Sequence, residues 1–177
     1  MSTKEKSNVL GYFLNRETPH IVNAKGVYLY DDQGNRILDA SGGAIVCSIG
    51  HGGKDIADIV AEQMKRVAFV FRRAFITPEL EQAAQKVCET TNGDMDRVFF
   101  VSGGSEATET AVKLARKFHI DNGSPGKYRV ISRWQSYHGS TMGALSWSGF
   151  TSRRADFTPY LNDFVHLPAT YCYRCWY

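Results

Sequence analysis

Residues 99–116 constrain the fold most, because they change from a short apolar run to an amphipathic helical pattern across one glycine turn. That turn reads Ser-Gly-Gly-Ser at positions 102–105. The first amides of a helix have no partner inside the helix and carry partial positive charge, so Ser105 and the amides around Gly104 are placed to bind a phosphate. Glycine at 103 and 104 lets the backbone take positive φ and approach a ligand closely, because no Cβ is in the way. An ordinary strand-to-helix turn capped by Ser105 is the alternative.

The composition is that of a globular protein and gives no sign of a polyanionic partner. Hydrophobic residues make up 43% of the 177 residues and charged residues 22%, which excludes a disordered chain. The formal net charge is +3, with 21 basic and 18 acidic side chains spread along the chain, so no strong field favours nucleic acid or a membrane surface. The first residues contain no apolar leader and no stretch is long enough to cross a bilayer, so we expect a cytoplasmic protein.

The first third of the chain predicts a β-hairpin followed by a glycine-rich loop. Residues 26–40 are typical of two short strands around a turn at 31–35. Glycines then bracket a small apolar stretch between residues 41 and 53. This density of glycine indicates either irregular backbone near a ligand or an interface, or a flexible connector.

Two amphipathic helices are predicted after the glycine-rich loop. The first covers 54–67, where five apolar residues at helical spacing are expected to face the core. These five are Ile56, Ile59, Val60, Met64 and Val67. The second begins at Thr77 and Pro78, a helix cap followed by proline at the first helical position, and ends near residues 92–93.

A βαβ unit is predicted around the glycine turn. Residues 97–101 and 128–132 are predicted as strands, and the helix between them ends at 122–123. Such units are right-handed with parallel strands. Ligands bind at the carboxyl ends of parallel strands, where 102–105 and 134–139 both fall, so the two loops could share one ligand.

The four cysteines, at positions 47, 88, 172 and 175, are too few and too unevenly spaced for a disulfide framework. Cys172 and Cys175 have the CxxC spacing of half a zinc site or of a redox pair. No second pair accompanies them, so we predict no metal site.

Three separated motifs resemble the class III aminotransferases, pyridoxal-phosphate enzymes with the aspartate aminotransferase fold. In chain order they lie at residues 39–51, 100–116 and 137–141. The resemblance implies an α/β fold, the N-terminal part of the fold type I architecture, with a parallel-rich sheet and flanking helices but incomplete. It implies that 1–53 form an N-terminal segment belonging to the small domain. Residues 54–177 would form the first portion of the large cofactor-binding domain.

The resemblance also implies which residues bind the cofactor. These are Gly103, Gly104, Ser105, Tyr137, His138 and Gly139. In the family the glycine and hydroxyl pair holds the phosphate, and the aromatic residue stacks on the pyridine ring, an electron-poor surface that suits a flat aromatic partner. Gly103 departs from the family, which usually has serine there, although backbone amides could still bind the phosphate. The implied partners are an amino donor, a 2-oxo acid acceptor and a second copy of the chain.

The lysine that this chemistry requires is not found where the family has it. Its amine serves as nucleophile and as acid and base, and it lies downstream of the Tyr-His-Gly motif, after an acid that binds the pyridine nitrogen. All nine lysines here precede Tyr137, and Lys113 and Lys117 lie roughly 12 Å or more along a helix from the glycine turn. We therefore expect an N-terminal fragment, inactive alone, with its Schiff-base lysine downstream of Tyr177. A non-catalytic truncated paralogue that binds a phosphate ligand or a sister subunit is an alternative, as is an aminomutase, decarboxylase or racemase.

The sequence leaves more than one role open for several other charged residues. Arg72 and Arg73, beside two phenylalanines, could line a substrate entrance and bind a carboxylate, or could be solvated. Glu109 is expected only to complement the helix dipole, whereas Glu106 could also reach neighbouring backbone.

Overall fold

Residues 8–10 and 18–175 are described by a computed structural model, and their contacts divide the chain into two units. The N-terminal unit extends to Pro78 and the C-terminal unit begins at Glu79. The assignment of 1–53 and 54–177 to the small and large domains of the family stays a prediction.

The N-terminal unit contains a three-stranded antiparallel sheet of β1 (Ile21–Lys25), β2 (Tyr28–Asp31) and β3 (Arg36–Leu38), in that order. Strands β2 and β3 confirm the predicted hairpin, whereas β1 was not predicted. The carboxylate of Asp31 closes the hairpin turn, because it accepts from the backbone amide of Asn35 at 2.7 Å and from its side-chain amide at 2.8 Å. These bonds hold the pKa of Asp31 below its usual value, the side-chain bond contributing most.

The glycine-rich loop after β3 is held against the sheet by backbone hydrogen bonds. It contains one irregular helical turn, α1 (Gly42–Ile45), and an antiparallel bridge between Gly26 and His51. Gly50 has φ +76°, and a Cβ there would lie 2.9 Å from the carbonyl oxygen of Gly26. The glycine density therefore reflects close backbone approach at this bridge, and the segment is not a free connector.

Helix α2 (Lys54–Arg66) confirms the first predicted helix, but its apolar stripe is not buried. All five apolar residues expected to face the core are exposed, with Ile59 70% exposed. The amphipathic pattern forms the helix, and burial additionally needs a covering element that the described residues do not supply.

The C-terminal unit contains helix α4 (Gly104–Asp121), which follows α3 (Pro78–Glu89). Both helices were predicted, and α3 begins at its proline as expected. Apolar residues recur along α4 at helical spacing, which predicts a buried stripe. This prediction is wrong for the described residues, since Leu114 is 56% and Phe118 61% exposed.

The parallel strand pair of the C-terminal unit differs from the predicted one. Strand β4 (Ile131–Arg133) pairs with β5 (Val165–Leu167), while 97–101 form no strand within the described part of the chain. Strand identity depends on ladder hydrogen bonds, and β4 forms its ladder with a segment more than 30 residues further along the chain. The predicted α/β class holds, but the βαβ unit with 97–101 as its first strand is wrong here.

The buried residues of the C-terminal unit centre on α5 (Met142–Trp147). Ala144, Leu145 and Trp147 are buried, with Ser148 fully buried just beyond the helix. The Arg154 guanidinium stabilises the C-terminal end of α5 by donating to the backbone carbonyl oxygens of Leu145, Ser146 and Ser148 at 2.7 to 2.8 Å.

The remaining elements complete the unit. They are α6 (Thr151–Arg154) and two 3-10 helices, Ala155–Tyr160 and Cys172–Arg174. In the part of the chain that the structure describes, no helix combines the length and apolarity needed to span a membrane.

Candidate cofactor site

The cradle, defined here as Gly103, Gly104 and Ser105, lies at the N-terminus of α4. Gly103 is the cap residue, with extended backbone at φ −162°, and Gly104 is the first helical residue. Neither uses the positive φ that glycine allows. The alternative in which Ser105 caps the helix is wrong, because Gly103 is the cap. Among the described residues, the amides of Gly104, Ser105 and Glu106 donate to no protein acceptor, which is the arrangement that binds anions.

The Ser105 hydroxyl connects the cradle to the second predicted loop. Its oxygen accepts a hydrogen bond of 2.9 Å from the amide of Ser140. Because that bond uses the oxygen as acceptor, the hydroxyl hydrogen remains to donate to a ligand. The structure thus brings together the two loops that the sequence placed at one sheet edge.

Gly139 allows this contact because it has no side chain. It is buried with φ +135°, and a Cβ there would lie 2.5 Å from Oγ and 2.9 Å from Cα of Ser105. No other residue type fits this backbone and this separation without displacing the cradle.

The aromatic loop, defined here as residues 137–140, is held from below by a buried hydroxyl. The amide of His138 donates to Oγ of Ser148 at 2.9 Å, and that hydroxyl lies 3.0 Å from the carbonyl oxygen of Ala144. His138 therefore helps to position the loop through its backbone.

Tyr137 presents its ring at the surface of the unit. It is 55% exposed, and the Arg153 guanidinium lies over one ring face, 5.0 Å from the centroid. Because the cation lies over one face, a planar ligand would stack on the other.

Glu109 has a structural role that the sequence analysis missed. Its carboxylate accepts from the hydroxyl of Thr141 and, at 3.3 Å, from the amide of Ala144, so it caps α5 from another helix. The expectation that it only complements the dipole was wrong. The sequence shows an acid near the start of α4, but it does not show that this acid caps another helix, because its partners lie 32 or more residues away.

Glu106 does reach neighbouring backbone. The amide of Ser102 donates to its carboxylate at 2.8 Å. Glu106 is the third residue of the helix, the position of the acid in a capping box, but its bond fixes the residue before the cap Gly103 rather than the cap itself.

The arginine pair and the CxxC cysteines lie in other segments of the chain. Arg72 and Arg73 lie in an exposed turn of the N-terminal unit, and their role at a substrate entrance stays a prediction. Cys172 and Cys175 are exposed free thiols, and no metal-binding group of His, Cys, Asp or Glu is found among the described residues.

Comparison with known proteins decides the family. A sequence model of the class III aminotransferases matches residues 13–175. The chain belongs to this family.

Among relatives of this class III chain, an uncharacterised aminotransferase of Bacillus subtilis, YodT, is 42% identical over 156 residues, covering 88% of this chain and 35% of that protein. An (S)-enantioselective omega-transaminase from Thermomicrobium roseum superposes with a TM-score of 0.83 at 38% identity, covering 89% of this chain and 35% of that chain. An amine transaminase from an uncultivated Pseudomonas species, solved with pyridoxal phosphate bound, gives 0.85 at 29% identity, covering 99% and 40%. This chain spans about 35% of the length of YodT.

The residues of this class III chain fit the cofactor of the family. The phosphate of pyridoxal phosphate is an anion that needs several donors, and the cradle offers unpartnered amides and a hydroxyl at a helix N-terminus. The planar ring needs a flat apolar partner, and Tyr137 offers one at the adjoining loop.

Proposed function

We propose that this chain contributes the phosphate-binding and ring-stacking parts of a pyridoxal-phosphate site in an aminotransferase. The enzyme would move an amino group from an amine or amino acid to a 2-oxo acid. The observation that carries the proposal is the hydrogen bond from the Ser140 amide to the Ser105 hydroxyl, because it joins the helix N-terminus to the aromatic loop.

Phosphate binding rests on the cradle. The amides of Gly104 and Ser105 and the Ser105 hydroxyl would donate to phosphate oxygens, each such bond to a charged group contributing about 1.5–3 kcal/mol. The helix dipole adds about 0.3–1 kcal/mol for an anion at this end of α4. The Ser140 amide orients the hydroxyl, since it occupies the oxygen and directs the hydrogen away from the loop.

Ring orientation rests on the aromatic loop. Tyr137 would stack on the pyridine ring, a contact of about 0.5–1.5 kcal/mol. Gly139 keeps the loop against Ser105, and Ser148 holds the backbone of His138. When bound, pyridoxal phosphate supplies an electron sink for the bond that breaks at the substrate carbon.

The lysine of the active site would lie beyond Tyr177 in the complete enzyme. Lys113 is nine residues past Gly104, about 13 Å along the helix axis, and Lys117 is paired with Asp121. Neither is placed to bond a cofactor whose phosphate lies at the cradle.

Quaternary state and location are also proposals. The exposed apolar faces of α2 and α4 are surfaces that further chain or a sister subunit would cover, which supports a homodimer. We propose that the enzyme acts in the cytoplasm.

Borohydride reduction with pyridoxal phosphate, followed by peptide mapping, tests the proposal. The chain should give no stoichiometric pyridoxyl adduct on any of its nine lysines. If the encoding gene continues beyond Tyr177, its product should give one adduct on a later lysine and should transfer amino groups to a 2-oxo acid. A stoichiometric adduct on one of the nine would refute the assignment, and a complete product without adduct or transfer would favour a non-catalytic paralogue.

A further inference from the structure

A cluster of reactive side chains that the proposed function does not use lies in the N-terminal unit. The Sγ atom of Cys47 is 3.6 Å from Nδ1 of His51. The other ring nitrogen of His51, Nε2, is 2.9 Å from Oδ2 of Asp39. Thiol, imidazole and carboxylate therefore follow one another in the order that activates a cysteine nucleophile.

Backbone contacts with one turn hold two members of this cluster. His51 and Gly26 exchange two backbone hydrogen bonds of 2.9 and 2.8 Å. The amide of Asp39 donates to the carbonyl oxygen of the next residue, Val27, at 2.9 Å. His51 and Asp39 are thus anchored on neighbouring residues between β1 and β2, which fixes their pairing.

The pair is shielded from solvent. The side chains of His51 and Asp39 are only 25% and 12% exposed. An imidazole–carboxylate contact that is partly buried is weakened less by water and salt than a surface pair, so it holds its geometry better.

Asp39 determines which nitrogen of His51 carries the hydrogen. The His51 bond and the Gly43 amide hold the pKa of the Asp39 carboxyl below its usual value, so it is ionised at neutral pH. An ionised carboxylate can only accept, so Nε2 donates and Nδ1 directs its lone pair at Cys47. The thiol has a second acceptor, the Gly50 carbonyl oxygen at 3.3 Å.

We propose that Cys47 is a nucleophilic thiol, a site of covalent modification by carbon electrophiles, with His51 as its base. The Sγ lone pair attacks the electrophilic carbon while the S–H proton passes to Nδ1 of His51. With a haloacetamide, the carbon–halogen bond breaks and the halide leaves with its electron pair. The imidazolium then releases the proton to water, and the product is a thioether.

The other cysteines provide internal comparisons. Cys88 is half-buried like Cys47, but the residues that line its cavity include the acids Glu81, Glu89 and Asp96 and no histidine. Cys172 and Cys175 are exposed. If exposure alone governed reactivity, those two would react first.

Limiting iodoacetamide at neutral pH, followed by quantitative peptide mapping, tests the proposal on the intact chain. Cys47 should be alkylated at least about tenfold faster than Cys88, a modest share of what a positioned base contributes, and ahead of the two exposed cysteines. In concentrated urea the four rates should converge. A Cys47 rate no higher than that of Cys88 in the folded chain overturns the proposal.

Two matched histidine variants separate the base from general effects. His51→Gln should lower the Cys47 rate about tenfold and leave Cys88 unchanged. His20→Gln, an exposed histidine of the same unit, should change neither rate. An unaltered Cys47 rate in a folded His51→Gln chain overturns the proposal, and if that variant is unfolded, the native and urea rates of the unmodified chain decide.

Discussion

Replacing Gly139 by alanine should destabilise the C-terminal unit and separate the aromatic loop from the cradle. The new methyl would lie 2.5 Å from Oγ of Ser105 and 2.7 Å from Cβ of Ala144, at φ +135°. Backbone strain in this region costs about 1–3 kcal/mol, and crowding costs about 1–3 kcal/mol. If the loop shifts away from Ser105, that single shift relieves part of the backbone strain and part of the crowding. We therefore expect the free energy of unfolding to fall by about 3 kcal/mol.

Urea unfolding followed by tryptophan fluorescence measures this loss, because Trp147 is buried on α5 beside the loop. The control is Gly104→Ala, where the added Cβ meets no atom within 4 Å and the first helical turn tolerates alanine. It should be neutral or gain up to about 1 kcal/mol. If the free energy of unfolding of Gly139→Ala is within about 0.5 kcal/mol of the original, with unchanged dependence on urea, then position 139 is not restricted to glycine by Ser105.

Two further substitutions test the structural contacts. Glu109→Ala removes the carboxylate that caps α5 and should lower the free energy of unfolding by about 1 kcal/mol. The control Glu62→Ala breaks an exposed ion pair and should cost less than about 0.5 kcal/mol. Equal urea midpoints for the two variants would contradict the capping role of Glu109. Because Asn35 lowers the pKa of Asp31, the ionised carboxylate stabilises the N-terminal unit above the unfolded pKa, and this contribution is lost as pH falls through the folded pKa. Asp31→Asn should be less stable at neutral pH and should lose less stability on acidification, as followed by circular dichroism; parallel acid profiles would contradict this.

The sequence predicted those secondary-structure elements that depend only on residues close to one another in the chain. Helices α2, α3 and α4 and the hairpin were predicted because spacing, caps and turn residues act over a few positions. The importance of Ser105 also followed from a local cause, the unpartnered amides at a helix start.

Contacts distant in sequence were missed or assigned wrongly. Strand β4 pairs with β5 rather than with 97–101, and only the folded chain shows which segment completes the ladder. Glu109 caps α5 across more than 30 residues, and the cluster of Cys47, His51 and Asp39 forms because the β1–β2 turn holds two of its members. The burial of the apolar stripes on α2 and α4 was overestimated. Such a stripe indicates that one face of a helix is to be covered, but it does not say which element covers that face.

Equilibrium dialysis with pyridoxamine phosphate and with pyridoxamine tests whether the cradle binds the cofactor phosphate, since neither compound has an aldehyde to react with surface lysines. The phosphorylated compound should bind more tightly. Ser105→Ala should weaken the binding of the phosphorylated compound by about 10- to 160-fold, because it removes a bond of about 1.5–3 kcal/mol to a charged group. Thr108→Ala should have little effect, because among the described residues its hydroxyl bonds only to the Gly104 carbonyl. Equal affinities for the two compounds, or a Ser105→Ala chain that binds as the original does, would contradict the account.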